Sequence, residues 1–262
     1  MFGLLRAWRR RRLARRPFPP QWLAHLERHV GFHSTLPDDL RPRFLELLKV
    51  FVWEKHFFPA GGMEITDEVK VVIAAAAVRL VLHLDLSYYD RLTEIVVYPG
   101  HFRPPDTDAV HLGEAHSWGT VVLSWQAVLE GLRRCNDAHD TATHEFAHVL
   151  DQADGEFDGT PPLRAMAHYK PWAEVMSHHF LALRRRERPQ RRALSDYGAQ
   201  NEAEFFAVAT EAFFERPEAL HDRTPDLYDE LRRFYGCHPL ATRAAGGACD
   251  DQDGVAGHDP AS

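Results

Sequence analysis

The chain contains two histidines and a glutamate in the order His144-Glu145-Phe146-Ala147-His148. Residues four apart lie one turn apart on the same face of an α-helix, so both imidazoles can approach one cation. Zinc accepts two neutral imidazoles and a carboxylate and keeps a fourth position open for water. Glu145 lies beside both histidines, where it can take a proton from that water. The pattern predicts a zinc site with His144 and His148 as ligands and Glu145 as the catalytic base.

The residues around this HExxH motif favour a helix, which the chemistry requires. Apolar side chains on both sides of His148 give the helix faces that can pack in a core, and Asp140 or Thr141 is a suitable first residue. The five-residue pattern also occurs in unrelated proteins, so a third ligand further along the chain is needed to support the prediction.

The third ligand is expected in the glutamate-rich segment over residues 201–211, which reads NEAEFFAVATE. Glu204 and Glu211 are seven residues apart and share one helix face, whereas Glu202 points elsewhere. The distance along the chain from His148 to Glu204 is 204 − 148 = 56 residues, which leaves room for another helix. Spacing alone does not choose between Glu204 and Glu211.

The segments HEFAHVLD and YGAQNEAEFFAVATEAFF resemble those of the MtfA (Mlc titration factor A) family of bacterial zinc peptidases, from near Leu40 to Gly236. The metal-site segments alone are also similar to those of the anthrax lethal factor catalytic domain. The resemblance implies a gluzincin with one Zn²⁺ per chain and Glu204 as third ligand. It implies that Tyr197 donates a hydrogen bond to the oxyanion. Glu211 and Asp151 are then candidates for orienting a histidine ligand.

The resemblance also implies a function. Members are expected to hydrolyse peptide bonds in short substrates, including as aminopeptidases, and in some members to influence sugar uptake by binding the transcriptional repressor Mlc. The alternative is a non-catalytic regulator that sequesters a transcription factor. The intact Glu145 favours the enzyme, because a purely structural zinc site needs no base beside its histidines.

The elements that must position these residues can be predicted in outline. Apolar residues at three and four spacing predict a helix over residues 37–58, and Thr66 or Asp67 begins a second. Further helices are expected over residues 171–186 and 202–214. Two short buried strands are expected over residues 94–98 and 119–125. The sequence therefore predicts an α+β fold that is mainly α-helical and zincin-like, with a small sheet beside the HExxH helix. Residues 120–123 are a candidate sheet edge for an extended substrate, with an ordinary core strand as the alternative.

Charge divides the chain into three parts. The basic segment over residues 1–20 is expected to be flexible, with a membrane-surface helix or a nucleic-acid arm as alternatives. Residues 21–240 are expected to form one metallopeptidase domain, and residues 241–262 a disordered tail. The arginines of the basic segment are Arg6, Arg9, Arg10, Arg11, Arg12, Arg15 and Arg16.

Composition excludes several other classes. A formal net charge of -7 over 262 residues argues against a nucleic-acid binder. No secretory apolar region is visible, and the longest apolar stretch, residues 71–84, is interrupted by Arg79 and His83 and is too short to span a bilayer. Three widely spaced cysteines fit a reduced cytoplasm. We expect a cytoplasmic protein whose partners are a peptide or protein substrate and, in the regulatory role, a repressor of the Mlc type.

Overall fold

A computed structural model describes residues 2–100, 113–116, 119–133, 140–185 and 193–246. This part of the chain is mainly α-helical and contains one small sheet. The helices are α1 (Phe2–Ala14), α2 (Gln21–His29), α3 (Gly31–Thr35), α4 (Arg41–Glu54), α5 (Asp67–Val81), α6 (Trp125–Arg133), α7 (Thr141–Asp151), α8 (Tyr169–Arg184), α9 (Glu202–Glu215), α10 (Pro217–Arg223), α11 (Pro225–Tyr235) and α12 (Pro239–Gly246). The strands are β1 (His56–Pro59), β2 (Glu94–Tyr98), β3 (Gly113–His116) and β4 (Thr120–Ser124).

The sheet has the order β1-β2-β4-β3, in which β1, β2 and β4 are parallel and β3 is antiparallel to β4. The sequence predicts β2 and β4 but neither of the outer strands. Strand β4 pairs with β2 on one side and with β3 on the other over residues 120–123. The prediction that these residues form a free sheet edge is therefore wrong, because both of their hydrogen-bonding sides are occupied.

The predicted helices occur close to their predicted positions. The first ends at Glu54, four residues early, because residues 56–59 leave the helix to form β1. Thr66 is the cap of α5, since its side chain accepts a hydrogen bond from the backbone N–H of Val69. Helices α7, α8 and α9 follow the periodic patterns that indicated them. The prediction of a mainly helical fold with a small sheet is confirmed.

Helix α5 runs through the centre of the core. Its alanines at residues 74–77 are fully buried, and α2, α4 and α7 pack around it, as small side chains allow. The ring of Phe146 on α7 lies edge-on to Phe51 and Tyr89, at centroid distances of 5.9 and 5.8 Å. Tyr89 in turn donates a hydrogen bond to the Ala77 carbonyl oxygen at 2.7 Å. One face of the HExxH helix is thus fixed in the core by the residue that follows Glu145.

The basic segment forms α1, which lies against the body of the protein. Arg10 donates two hydrogen bonds of 2.7 Å to the Glu54 carboxylate and also pairs with Asp90 at 2.8 Å. Leu13 is buried, and the Lys49 ammonium donates to the carbonyl oxygens of Ala14, at 2.6 Å, and of Arg16. Residues 2–14 therefore form a helix that contacts the body of the protein, and the expected flexibility of residues 1–20 stays a prediction.

The other predicted boundaries stay predictions. The extent of a single domain over residues 21–240 is an expectation, and α12 occupies the beginning of the predicted tail. Residues 247–262 of that tail lie outside the described residues. Among the helices that the structure describes, none combines the length and the apolar character needed to cross a bilayer.

Glu54 provides a pH-dependent test of how α1 is held. Burial by itself would raise the pKa of this carboxyl, but the hydrogen bond from Arg10 and the charge of Lys55 lower it to about 2. A carboxyl with a lowered pKa stabilises the fold above its unfolded pKa, near 4.5, and the contribution disappears as the pH falls toward 2. In metal-free protein, Glu54→Gln should lower the free energy of unfolding by about 1–3 kcal/mol at pH 7 and by much less near pH 3.

Urea unfolding at the two pH values measures this difference. Glu46→Gln is the matched control on the same helix, because the Glu46 side chain is 48% exposed and its pair with Arg43 spans 3.6 Å. Such a surface pair contributes little, so the control should behave like the wild type. An equal loss in Glu54→Gln at both pH values would contradict the assignment.

Candidate metal site

Helix α7 begins at a buried cap. The Asp140 side chain accepts a hydrogen bond from the backbone N–H of Thr143 at 3.0 Å and another from its hydroxyl at 2.6 Å. Asp140 and Thr143 are both fully buried. An aspartate at this position satisfies a free backbone N–H and favours the positive end of the helix. The cap fixes the first turn of the helix one residue before His144.

Helix α9 also begins at a side-chain cap. The Asn201 side chain caps it by accepting a hydrogen bond from the backbone N–H of Glu204 at 2.9 Å. The cap therefore binds the backbone of the residue whose carboxylate enters the site. Just before it, the Ser195 hydroxyl accepts from the backbone N–H of Tyr197 and starts a short 3-10 helix, Asp196–Ala199.

Three predicted ligands come together between α7 and α9. The Nε2 atoms of His144 and His148 are 3.1 Å apart, and Oε2 of Glu204 lies 3.0 Å from the first and 3.4 Å from the second. Metal–ligand bonds of about 2.0–2.1 Å at a tetrahedral centre would separate neighbouring ligand atoms by about 3.3 Å. The triangle has the dimensions of one face of such a centre, so the three residues fit a small divalent cation.

Glu211 occupies the opposite side of the first histidine. Its Oε1 accepts a hydrogen bond from Nδ1 of His144 at 2.6 Å, and its Oε2 accepts from the backbone N–H of Asp140 at 3.2 Å. With Nδ1 carrying the proton, Nε2 presents its lone pair to the cation position. The structure thus places Glu204 beside the two Nε2 atoms and Glu211 beside Nδ1 of His144.

The electrostatics of the site favour positive charge. Burial by itself would lower the pKa of His144, but its hydrogen bonds to Glu204 and Glu211 raise it to about 10. Burial would likewise raise the pKa of Glu204, but the hydrogen bonds from the two histidines lower it to about 2. The pKa of His148 is lowered, chiefly by burial. A proton at His144 is thus stabilised by Glu204, which would also bind a metal ion, and by Glu211 on the Nδ1 side of the ring.

The predicted catalytic residues lie beside this triangle. Glu145 is 5% exposed and Tyr197 is 49% exposed, with its ring centroid 5.7 Å from that of His144. Phe157 is 47% exposed, and its ring centroid lies 5.1 Å from that of His148. A half-exposed aromatic ring therefore lies next to each of the two histidines. The sequence analysis does not identify Phe157 as a site residue. The one feature that could have indicated it is its place in the loop after the motif, nine residues after His148.

Asp151 is the last residue of α7 and contacts the loop that follows the helix. It is fully buried, and its Oδ2 accepts a hydrogen bond from the backbone N–H of Gly159 at 2.9 Å. Trp172 donates its indole N–H to the Gly159 carbonyl oxygen at 3.3 Å. Gly159 has a φ of 78° and lies against the Glu202 backbone, at the start of α9. Asp151 thus ties the loop after α7 to the helix that carries Glu204, and its assignment to orienting a histidine stays a prediction.

Gly159 offers a test of this connection. A Cβ at this position would lie 2.4 Å from the Glu202 carbonyl oxygen, so Gly159→Ala must displace the backbone of α9 as well as adopt a left-handed conformation. Gly62→Ala is the matched control, because Gly62 has a φ of 79° and no atom within 4 Å of its added Cβ. The control should lose about 1–2 kcal/mol of unfolding free energy, from conformation alone.

Gly159→Ala should lose at least about 2 kcal/mol more than the control, because steric overlap with buried backbone adds to the same conformational cost. Urea denaturation of both variants measures the difference. Equal losses would show that the loop is not in tight contact with α9.

The chain is similar to known proteins over most of its length. The model of the glucose-regulated metallo-peptidase M90 family matches residues 5–236. An uncharacterized protein of Synechocystis sp. is 36% identical over 248 residues, which cover 89% of this chain and 90% of the relative. Mlc titration factor A of Pectobacterium atrosepticum is 32% identical over 240 residues, covering 84% and 89%. Mlc titration factor A of Yersinia pestis (strain Pestoides F) is 29% identical over 237 residues, covering 84% and 86%. The predicted resemblance is confirmed, and the chain belongs to the glucose-regulated metallo-peptidase M90 family.

Proposed function

We propose that the protein is a zinc-dependent peptidase of the gluzincin type, with His144, His148 and Glu204 as the ligands of one Zn²⁺. The observation that carries this proposal is the triangle of ligand atoms, which all lie within 4.8 Å of one another. Two imidazole nitrogens and one carboxylate oxygen suit zinc and leave a fourth position open. The zincin-like fold and the extent of the domain, residues 21–240, belong to the same proposal.

Each protein group has a defined task in this mechanism. Bound zinc would lower the pKa of a water molecule to about 7 and polarise the scissile carbonyl. Glu145 takes the proton of the attacking water and later delivers it to the leaving amine. Glu145 follows His144 on α7, is nearly buried, and lies close enough to His144 and Tyr197 for its charge to raise the pKa of both. Glu211 holds His144 in the tautomer that the site needs.

Tyr197 is proposed to stabilise the oxyanion. Burial and the nearby carboxylates of Glu204, Glu145 and Glu211 raise its pKa to about 12. The phenol therefore keeps its proton at neutral pH and can donate a hydrogen bond as negative charge develops on the carbonyl oxygen. Its exposure of 49% leaves it accessible to a substrate.

The substrate is proposed to be a short peptide. Among the strands that the structure describes, β3 lies at the edge of the sheet and packs near α7. Its outer side is therefore proposed to pair with an extended chain, in place of the β4 residues expected from the sequence. Cleavage from the amino end is part of the proposal. A peptide library with free and acetylated amino termini tests it, and equal cleavage of both sets would exclude aminopeptidase action.

Zinc affinity tests the ligand assignments. The wild type should bind about one zinc per chain, Glu204→Ala should bind it at least about 100-fold more weakly, and Glu211→Gln about 10–100-fold more weakly. Glu145→Gln is the control, because its side chain is not proposed as a ligand and zinc affinity should be unchanged. Competition with a chromophoric chelator measures all four proteins. Full affinity in Glu204→Ala would remove Glu204 from the ligand set.

Turnover tests the two catalytic residues. With zinc bound, Glu145→Gln should lower kcat by at least about 100-fold, since general-base catalysis is lost. Tyr197→Phe should lower kcat by about 100- to 1,000-fold with little change in KM, because the lost hydrogen bond forms mainly in the transition state. Initial rates on the peptide that the library selects provide the measurement. Normal turnover in Glu145→Gln would refute the mechanism.

The names of two relatives favour a second function. Those proteins are called Mlc titration factor A, so we also propose that this chain binds a transcriptional repressor of the Mlc type, which would place it in the cytoplasm. Pull-down of a purified Mlc-type repressor by the wild type and by Glu145→Gln separates the two functions. Retained binding without hydrolysis in the variant supports both. If the wild type binds repressor but cleaves no peptide, the protein is the non-catalytic regulator.

A further inference from the structure

The outer face of α1 carries a cluster of exposed apolar side chains. Leu4 is 80% exposed, Leu5 60% and Trp8 62%, and all three lie in the first two turns of the helix. Soluble proteins usually scatter large exposed apolar residues, so three on one short stretch require an explanation. The inner face of α1 is already occupied, because Leu13 is buried and Arg10 is paired with Glu54.

The same outer face carries unpaired positive charge. Arg6 and Arg10 point inward to Asp90 and Glu54, but five other arginines are exposed, and within the described residues none of the five forms an ion pair. No acidic residue precedes Glu27 in the chain. Four of the five are Arg9, Arg11, Arg12 and Arg15, whereas the fifth, Arg16, lies over the Trp53 ring of α4 at 5.2 Å.

We propose that α1 docks on the surface of an anionic phospholipid membrane. In this arrangement Leu4, Leu5 and Trp8 enter the boundary between headgroups and acyl chains, and the arginines of the following turns bind lipid phosphates. The apolar and basic residues follow one another along the helix axis on one exposed face, so the N-terminal turns insert and the C-terminal turns remain at headgroup level. The guanidinium of Arg12 lies 5.9 Å from the Trp8 ring centroid, which joins the two parts.

Two observations favour a membrane over a nucleic acid. A phosphate backbone alone would complement the arginines but would leave the three apolar side chains exposed to water. The chain as a whole carries a net charge of -7, which opposes general attraction to a nucleic acid. The face is also preformed, since Lys49 binds the carbonyl oxygens at the end of α1 and the helix need not fold on contact.

Co-sedimentation of the full chain with lipid vesicles tests the proposal. Vesicles of phosphatidylcholine with about 30% phosphatidylglycerol should bind the wild type at least about tenfold more strongly than pure phosphatidylcholine at about 0.1 M salt. Leu4→Ser/Leu5→Ser/Trp8→Ser and Arg9→Gln/Arg11→Gln/Arg15→Gln should each reduce binding to the anionic vesicles about tenfold or more. All six side chains are exposed, so both variants should keep the wild-type circular dichroism spectrum and melting temperature.

The controls match each change. Arg43→Gln/Lys170→Gln/Arg232→Gln removes the same charge from side chains that are 43%, 85% and 48% exposed elsewhere. Met166→Ser removes an apolar side chain that is 84% exposed. Both should bind vesicles within about twofold of the wild type, as expected for distant sites. No binding to anionic vesicles, or equal losses in test and control variants, overturns the proposal. Binding to duplex DNA that depends on the arginines but not on Leu4, Leu5 and Trp8, without vesicle binding, would assign the face to nucleic acid instead.

Discussion

The hydrogen bond between Glu211 and Nδ1 of His144 is the interaction on which the site depends. One carboxylate serves two elements, since its other oxygen accepts the backbone N–H of Asp140, the cap of α7. The start of the motif helix and the orientation of its first histidine are therefore set from α9. The same helix presents Glu204 about two turns earlier, so a single register between α7 and α9 places both carboxylates. A slip of one residue would displace both.

The remaining structure maintains that register. Phe146 locks one face of α7 into the rings of Phe51 and Tyr89, and Gly159 brings the following loop against the first turn of α9. Burying several carboxylates and two histidines in one place is unfavourable unless hydrogen bonds and opposite charges compensate for the lost hydration. The apolar contacts around α7 and α9 keep this polar cluster together, and a cation or a proton balances its negative charge.

The sequence predicts the parts of this arrangement that depend on local pattern. The HExxH spacing, the helical periodicity of α4 and α5, and the caps at Thr66 and Asp140 need only neighbours in the chain. Spacing could not separate Glu204 from Glu211, because they share a helix face and differ only in which side of the His144 ring they reach. The sequence does not predict strands β1 and β3, because four-residue strands are too short to show an alternating pattern and form through tertiary contacts. It does not predict the hydrogen bond between Asp151 and Gly159 either, because this contact depends on the tertiary structure.

The raised pKa of His144 makes the metal and the proton competitors for one nitrogen. With a pKa of about 10 in the metal-free protein, this ring carries a proton at neutral pH, and a metal ion must release it on binding. Apparent metal affinity therefore rises with pH, because each metal ion that binds must displace this proton. Acidification favours the protonated, metal-free form of the site.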